Sequence, residues 1–266
     1  MSEILSPRQK DIIALARSQG RVSVEQLAVK FSVTPQTIRK DLNELCDRRL
    51  MSRVHGGAMV AFGVENVAYE ARRSLAAAEK RAIGEAAAKL IPNNCSLFIN
   101  IGTTTEEVSR SLVGHEDLLV ITNNLNVAQT LYRQPTIEVV LAGGPVRRAD
   151  GAVIGAATVD FIKQFRVDYA VIGTSAIEAD GSLLDFDVRE VQVSKAIIEN
   201  SRRTILVSDK SKFGRSAPVR IGHIGDVDAF VTDALPNEDF RKLCRERDVE
   251  VIEVGPQSGE EAANPP

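Results

Sequence analysis

The stretch SVEQLAVKFSVTPQTIRKDLNELCDRRLMSRVHGG, residues 23–57, decides the fold of the first part of the chain. It contains two helix starts eleven residues apart. The first is a capping box formed by Ser23 and Gln26, and the second is Thr34, whose hydroxyl precedes a proline at the first helical position. Apolar residues at spacings of three and four follow each start. The pattern predicts two short helices joined by a tight turn.

Residues on either side of these helices complete a small module. SPRQ, residues 6–9, is an earlier capping signal, and the apolar residues after it run to a stop at Gly20. Downstream, RRLMSRV (48–54) is typical of a basic strand, and HGG (55–57) of a glycine turn that lets backbone approach a phosphate. The sequence therefore predicts a three-helix core followed by a wing, which is a winged helix-turn-helix.

The helix that starts at Thr34 carries DNA-reading chemistry on the face outside its apolar stripe. Glutamine and arginine can make bidentate contacts to adenine and guanine edges, and the first turn of a recognition helix enters the major groove. We predict that Gln36, Thr37 and Arg39 lie near bases and that Lys40 contacts a phosphate. The alternative is a solvated cationic face on a small helical domain. The predicted DNA-binding residues are Thr34, Gln36, Thr37, Arg39, Lys40, Arg53, His55, Gly56 and Gly57.

The charge distribution agrees with a nucleic-acid partner. Residues 1–57 have a net charge of +4, whereas the rest of the chain has −7, so that the whole is −3. Neutralising DNA phosphates is the main source of affinity in such proteins. A basic excess confined to the front of the chain therefore predicts that this module binds double-stranded DNA.

The remaining sequence predicts one larger domain. With 266 residues, 44% of them hydrophobic, the chain is long enough for a small module and a second domain with a full core. We predict a DNA-binding domain over 1–60, a linker over 61–74, an α/β domain over 75–254 and a disordered tail over 255–266. Short apolar runs alternate with amphipathic stretches, which indicates a mostly parallel sheet covered by helices on both faces. The runs are 96–101, 118–121, 137–142, 168–173, 204–208, 229–232 and 249–254.

A helix rich in alanine, glutamate and lysine is predicted over residues 74–91. It could cover the sheet edge, relay a conformational change, or pair with its twin in a dimer.

Small and hydroxyl residues follow the predicted strands. Gly102 and the threonines 103–105 enter a helix, where glycine, hydroxyls and free amides form an anion cradle. DKSKFGR, residues 209–215, adds two lysines and an arginine after another strand. Ligands bind outside the carboxyl ends of parallel strands. Although N-capping alone explains many such residues, the combination predicts a site for a small phosphorylated polyol.

Several motifs together resemble the DeoR family of bacterial sugar-catabolism repressors over residues 6–235. This resemblance implies a sensor domain similar to ribose-5-phosphate isomerase that releases DNA when a phosphorylated intermediate binds. Within the family, TNNLNVA, DFIKQFR and KAIIENS favour glycerol-3-phosphate as the effector. The motifs are PQTIRKDLNEL, VHGGA, NIGTT, TNNLNVA, LAGG, IGAATVDFIKQFRVDYAVIG, DGSLLDFDVRE, KAIIENS and DKSKFGR.

The resemblance also implies roles for single residues. The phosphate would lie on Gly102, Thr103 and Thr104, with Lys210 and Lys212 as charge partners. Lys210 could instead form a surface pair with the preceding Asp209. The other residues implied to contact the effector are Asn123, Gly143, Gly144, Asp150, Asp185 or Asp187, and Glu190.

Two other functions remain open at this level. One is a sugar-phosphate isomerase, which would need only the second domain and a base that abstracts a proton from carbon. Such an enzyme has no need of a DNA-reading module, so the first domain favours a regulator. A purely structural role, such as an oligomerisation platform, would not explain so many phosphate-compatible strand ends. We expect a homodimer or homotetramer that acts without a cofactor.

The sequence also bears on the location of the protein and on metal binding. No apolar run approaches the roughly 18 residues of a membrane span, so we expect a cytoplasmic protein. The three cysteines and three histidines lack metal-ligand spacing. We therefore predict no metal, and we expect Cys46, Cys95 and Cys244 to be buried as small hydrophobic residues.

Overall fold

The computed structural model describes residues 5–19, 21–48, 50–54, 57–60 and 69–255. Up to Val60, the described residues form three helices and a small antiparallel sheet whose strand order is β1-β3-β2. The winged helix-turn-helix is therefore confirmed. Its elements are α1 (Pro7–Gln19), β1 (Arg21–Ser23), α2 (Val24–Lys30), α3 (Pro35–Asp47), β2 (Met51–Val54) and β3 (Gly57–Val60).

The helices begin at their sequence signals. The Ser6 hydroxyl accepts from the Gln9 amide at 3.2 Å, while the Gln9 side chain accepts from the Ser6 amide at 3.0 Å. At the start of α3 the Thr34 hydroxyl accepts from the Thr37 amide at 3.2 Å. These bonds satisfy amides that a first helical turn leaves without a partner. The apolar stripes then meet in one core that includes Ile12, Leu27, Ile38, Leu42 and Leu45, each at most 2% exposed.

The rest of the described chain is an α/β domain. Its helices are α4 (Tyr69–Ser74), α5 (Ala77–Ala88), α6 (Thr103–Ser111), α7 (Leu125–Leu131), α8 (Ala156–Ile162), α9 (Val188–Glu199) and α10 (Glu238–Glu246). Its strands are β4 (Cys95–Ile99), β5 (Leu118–Thr122), β6 (Ile137–Leu141), β7 (Val167–Ile172), β8 (Ala176–Ile177), β9 (Ser182–Asp185), β10 (Ser201–Val207), β11 (Val219–His223), β12 (Ala229–Thr232) and β13 (Glu250–Glu253).

Seven of these strands form the predicted parallel sheet, in the order β13-β12-β10-β7-β4-β5-β6. Its strands are buried on both faces: Phe98 packs into the core on one side, and its neighbours Leu97 and Ile99 pack into the core on the other. Strand order reverses at β4, because β5 and β6 lie to one side of it and β7 to the other. Such a reversal opens a crevice at the carboxyl ends of β4 and β7.

A second, antiparallel sheet was not predicted. It consists of β8, β9 and β11, in the order β11-β9-β8. The strands β8 and β9 are two and four residues long, too short for a periodic signal, and they form because they pair with each other across the turn at Gly181. This sheet carries Asp185 to the end of β9, next to the crevice.

The predicted linker contains a helix. Residues 69–74 form α4, although the sequence there has no clean period. The Tyr69 hydroxyl donates to Glu106 on α6 at 2.6 Å, so that a tertiary contact supports this short helix. Ala76, at φ +52, then separates α4 from α5, which starts at Ala77 instead of at residue 74. The predicted linker residues 61–68 and tail residues 256–266 lie outside the described residues.

Other expectations concern membranes, metals and cysteines. Among the described helices, none is long and apolar enough to cross a membrane. Within the same residues no cluster of three or more histidine, cysteine or acidic side chains could hold a metal ion. The cysteines are free, and Cys244 is buried, but Cys46 and Cys95 are only half-buried. Burial of all three was therefore a wrong prediction.

Candidate functional site

The exposed face of α3 carries the side chains that are predicted to read DNA. Gln36, Arg39 and Lys40 are exposed, and Thr37 is half-buried. Arg39 donates to the Gln36 side chain at 2.7 Å, one turn away. The Thr34 hydroxyl, which caps the helix, also lies 2.9 Å from that of Thr37. Gln36 and Arg39, the two side chains best suited to read bases, are therefore hydrogen-bonded to each other on one exposed face.

Ion pairing fixes α3 against α1. Arg8 donates to Asp41 at 2.6 and 3.3 Å, and Gln9 donates to Glu44 at 2.7 Å. Asp41 is only 6% exposed. These contacts join polar side chains 33 and 35 positions apart, so the apolar pattern of either helix did not reveal them.

The described part of the wing is its two strands. Arg53 lies in β2 and Gly57 begins β3. A Cβ atom on Gly57 would lie 2.0 Å from the Val22 carbonyl oxygen of β1, so glycine is needed here for packing between strands. His55 and Gly56, also predicted to bind DNA, lie outside the described residues.

A polar cleft opens at the crevice of the parallel sheet. The residues that directly follow β4 and β7 line it, together with side chains of α4, β9 and α9. The cleft is narrow. Its lining residues are Arg72, Asn100, Ile101, Gly102, Thr103, Thr104, Thr105, Gly173, Thr174, Ser175, Asp185, Glu190, Val207 and Lys212.

One wall of the cleft is the start of α6. Gly102 precedes the helix with φ +145, a conformation that favours glycine. Thr105 donates its hydroxyl to the carbonyls of Asn100 and Gly102 at 2.7 and 2.8 Å, which ties the turn together. Thr103 and Thr104 occupy the first turn, where helix amides favour an anion.

Lys212 supplies positive charge to the cleft. Burial lowers the pKa of its amine to about 8, opposed by Asp209, and the nearby cations Arg215, Lys80 and Arg72 lower it further. An anion that binds beside this lysine would be favoured, because it would offset the positive charge of the lysine and of the nearby cations. Lys210, the other predicted charge partner, instead lies 3.8 Å from Asp233 with its side chain 67% exposed.

Two acidic side chains face the same cleft. Asp185 is 4% exposed and Glu190 is 9% exposed. Burial raises the pKa of Asp185. Burial and the nearby Asp185 raise the pKa of Glu190 to about 8. A protonated carboxyl in such a position can both donate and accept hydrogen bonds with ligand hydroxyls.

An arginine that sequence reasoning missed organises the acidic residues. Arg147 donates to Asp150 at 2.8 and 2.6 Å, to Glu190 at 2.9 Å and to Asp187 at 3.4 Å. Only Glu190 among these acids lines the cleft. Asp187 also caps α9 by accepting from the Arg189 amide. Asp150 and Asp187 therefore lie outside the cleft lining and share Arg147 with Glu190.

The other predicted effector residues have structural contacts. Asn123 is fully buried and donates to the Val153 carbonyl at 3.2 Å. Gly144 lies against Thr158, whose hydroxyl would be 2.5 Å from an added Cβ atom, and the Gly143 carbonyl accepts from Thr158. Of the predicted effector residues, the cleft brings together Gly102, Thr103, Thr104, Asp185, Glu190 and Lys212, and leaves Asn123, Gly143, Gly144, Asp150, Asp187 and Lys210 outside its lining.

Glu190→Gln is expected to flatten the pH dependence of stability between pH 5 and 8. A carboxyl whose folded-state pKa is raised binds a proton on folding, so its contribution is fully present below its unfolded pKa and is lost as the pH rises toward 8. One such group accounts for at most about 1.4 kcal/mol per pH unit. Glutamine stays neutral throughout this range. The free energy of unfolding of the variant, measured with urea, should therefore no longer fall with rising pH as it does in the unsubstituted protein.

The matched control for this variant is Glu116→Gln, which removes an exposed carboxyl. It should keep the slope of the unsubstituted protein. A slope that persists in Glu190→Gln would show that another group titrates.

A helix-turn-helix with a wing, followed by a parallel α/β domain with a polar cleft, defines the class of DNA-binding transcriptional regulators that carry a sensor domain. Models of known families match both parts: a DeoR-like helix-turn-helix domain matches residues 8–61, and a DeoR C terminal sensor domain matches residues 75–234. The chain therefore belongs to the DeoR family.

Individual relatives are similar along most of the chain. It is 47% identical over 244 residues to a glycerol-3-phosphate regulon repressor of Escherichia coli, covering 92% of this chain and 97% of the relative. It is 50% identical over 231 residues to the Haemophilus influenzae protein of that name, covering 87% and 90%. Among solved structures, ribose 5 phosphate isomerase A from Neisseria gonorrhoeae has a TM-score of 0.38 and 15% identity, over 51% of this chain and 53% of that chain.

Proposed function

We propose that this protein represses a carbon-catabolism operon and leaves its operator DNA when a small phosphorylated polyol, glycerol-3-phosphate, binds the cleft. The observation that carries the proposal is the cleft itself. It combines a helix start with threonine hydroxyls, a half-buried lysine and two buried carboxyls in a chain that also presents a DNA-reading helix. The two relatives described above are glycerol-3-phosphate regulon repressors, which supports the choice of effector.

Each end of the effector has a suitable partner in the cleft. The phosphate would lie at the start of α6, where the amides and hydroxyls of Thr103 and Thr104 can donate to it and Lys212 adds a charge. The polyol hydroxyls would form hydrogen bonds with Asp185 and Glu190. Both carboxyls are buried, so a hydrogen bond to the ligand would offset the cost of their lost hydration. Glycerol without its phosphate would lose the first set of contacts and should bind far more weakly.

Release from DNA requires the effector to favour one state. Two or more copies would place their recognition helices about one helical turn of DNA apart on an inverted repeat, as a homodimer or homotetramer. The effector must then bind the DNA-free state more tightly, and the operator must weaken effector binding by the same factor. Such a repressor acts in the cytoplasm, together with the DNA that it binds.

An isomerase is the alternative function, and Glu190 is the residue that favours it. A carboxyl with a pKa of about 8 beside a sugar-phosphate cleft could act as a general base. In this chain Glu190 also accepts from Arg147 at 2.9 Å, which suits a binding role. We propose that the protein is not an enzyme. Loss of deuterium from carbon 2 of an aldose phosphate incubated with the protein would contradict this.

Glycerol-3-phosphate is expected to release the purified protein from operator DNA and to stabilise it. A ligand at 100 times its dissociation constant adds about 2.7 kcal/mol to the stability of the state that it binds. Thermal unfolding with glycerol-3-phosphate, glycerol and other sugar phosphates identifies the effector, and a gel-shift titration measures release. A ligand panel that shifts neither readout would contradict the proposed effector class.

Thr104→Val tests where the phosphate lies. This substitution keeps the volume of a 6% exposed side chain but removes its hydroxyl, so we expect operator binding to persist while release needs about tenfold more effector. Thr136→Ala, which removes a hydroxyl from an exposed position, is the control and should respond normally. A normal response of Thr104→Val would move the phosphate away from α6.

A further inference from the structure

Arg72 reaches the cleft from outside the sheet. It lies on α4, the short helix that precedes the α/β domain, and its side chain is 15% exposed. The other cation in the lining, Lys212, follows β10 of the sheet, so Arg72 is the long side chain of the lining that does not belong to the sheet or its loops.

The contacts of Arg72 are weaker than those of its neighbours. Its Nη2 donates to Asp150 at 3.3 Å, but Arg147 already donates to that carboxylate at 2.8 and 2.6 Å. Its Nε is buried and has no hydrogen-bond partner. A guanidinium offers donors in a planar fork that matches phosphate oxygens. Arg72 thus presents an unsatisfied donor toward a cleft suited to an anion.

The helix that carries Arg72 is attached to the same wall of the cleft. The Tyr69 hydroxyl donates to Glu106 at 2.6 Å, and Glu106 lies in the first turn of α6 just after Thr103 and Thr104. Lys80, only 3% exposed, donates to the Arg72 carbonyl and, at 2.7 Å, to that of Leu75. In sequence, α4 follows the wing by the eight residues 61–68. A change at the cleft wall can therefore move the segment next to the DNA-binding module.

We propose that Arg72 is a phosphate ligand of the effector and that α4 transmits its binding to the DNA-binding module. On effector binding, Arg72 exchanges Asp150 for the phosphate, while Arg147 keeps Asp150 paired. The exchange repositions α4 relative to α6 and weakens operator binding. This inference rests on the proposed function, since it needs a phosphate monoester in the cleft.

Calorimetric titration of the full chain with glycerol-3-phosphate, without DNA, tests the contact. We expect Arg72→Gln to raise the dissociation constant about 10- to 100-fold, as loss of a charge-assisted hydrogen bond does. Arg72→Lys should lie between Arg72→Gln and the unsubstituted chain, because an ammonium retains the charge without the fork. Arg81→Gln removes the same charge from an exposed position on α5 and should bind normally. Unchanged or tighter binding by Arg72→Gln overturns the proposal.

Tyr69→Phe tests the transmission separately. It leaves every charge in the cleft in place, so affinity for glycerol-3-phosphate without DNA should stay within about twofold of normal. The ratio of effector affinities without and with operator should fall severalfold, because coupling between two sites is reciprocal. An unchanged ratio overturns the role of α4. If the unsubstituted protein itself neither binds glycerol-3-phosphate nor leaves DNA, the proposed function fails instead.

Discussion

Replacing Arg147 by leucine is expected to lower the free energy of unfolding by about 3–5 kcal/mol at neutral pH. Arg147 is 21% exposed and pairs with Asp150, Asp187 and Glu190 at 2.6 to 3.4 Å. Without it, Glu190 loses its arginine partner beside the buried Asp185, Asp150 keeps only the longer contact to Arg72, and Asp187 keeps only the exposed Arg189. A buried charge that loses its partner costs far more than the intact pair contributes.

The pH response gives this prediction a second readout. As the pH rises through about 8, Glu190 loses its proton, so the variant then has one more uncompensated charge and its loss should be larger at pH 9 than at pH 6. Urea unfolding of both proteins at the two pH values measures the difference. Arg189→Leu is the matched control, since Arg189 also pairs with Asp187 but its side chain is 61% exposed. Its unfolding midpoint should not change. A loss under about 1 kcal/mol in Arg147→Leu would mean that the acids find other partners.

Arg39→Ala is expected to lower the preference for operator over random DNA about 10- to 100-fold. One bidentate contact from arginine to a guanine contributes about 1–3 kcal/mol of discrimination. In α3 the Gln36 side chain accepts from Arg39 at 2.7 Å, so the substitution also frees the neighbouring glutamine and the two effects should not add. Binding of glycerol-3-phosphate without DNA should remain normal.

Competition gel shifts with operator and random duplex at several salt concentrations separate specific from general contacts. Lys10→Ala removes one exposed charge from α1 instead of α3 and should leave the preference unchanged. If Lys10→Ala lowered discrimination as much as Arg39→Ala, the base-reading role of α3 would be wrong. Arg39→Ala protein that loses affinity equally for both duplexes would show a phosphate contact instead.

Sequence signals predicted the helices and strands well where an element depends on residues close to it in the chain. The caps at Ser6 and Thr34 depend on residues three positions away, and α1 and α3 begin next to them. The parallel sheet was also predictable, because strands buried on both faces are apolar along their length. In contrast, α4 depends on a distant partner, Glu106 for Tyr69, and β8 and β9 are too short to have a periodic signal.

The candidate site was predicted in part for the same reason. Gly102 to Thr104 stand out in sequence because a glycine and hydroxyls at a helix start have a recognisable local pattern. Lys210 and Lys212 are two positions apart and looked equivalent, yet only Lys212 lines the cleft, because Lys210 lies beside Asp233. Arg72 and Arg147 had no local signal, since their partners lie 78 positions and up to 43 positions away in sequence.

The sequence by itself determined the two-part architecture, the start of α3 and the anion-compatible turn, because caps, periodicity and turn residues act within a few positions. Only the tertiary structure decided which charges share the cleft and which short helix lines it from outside the sheet. Side chains from α4, α6, β9 and α9 meet there through the topology of the sheet, and that meeting is set by packing between segments far apart in the chain.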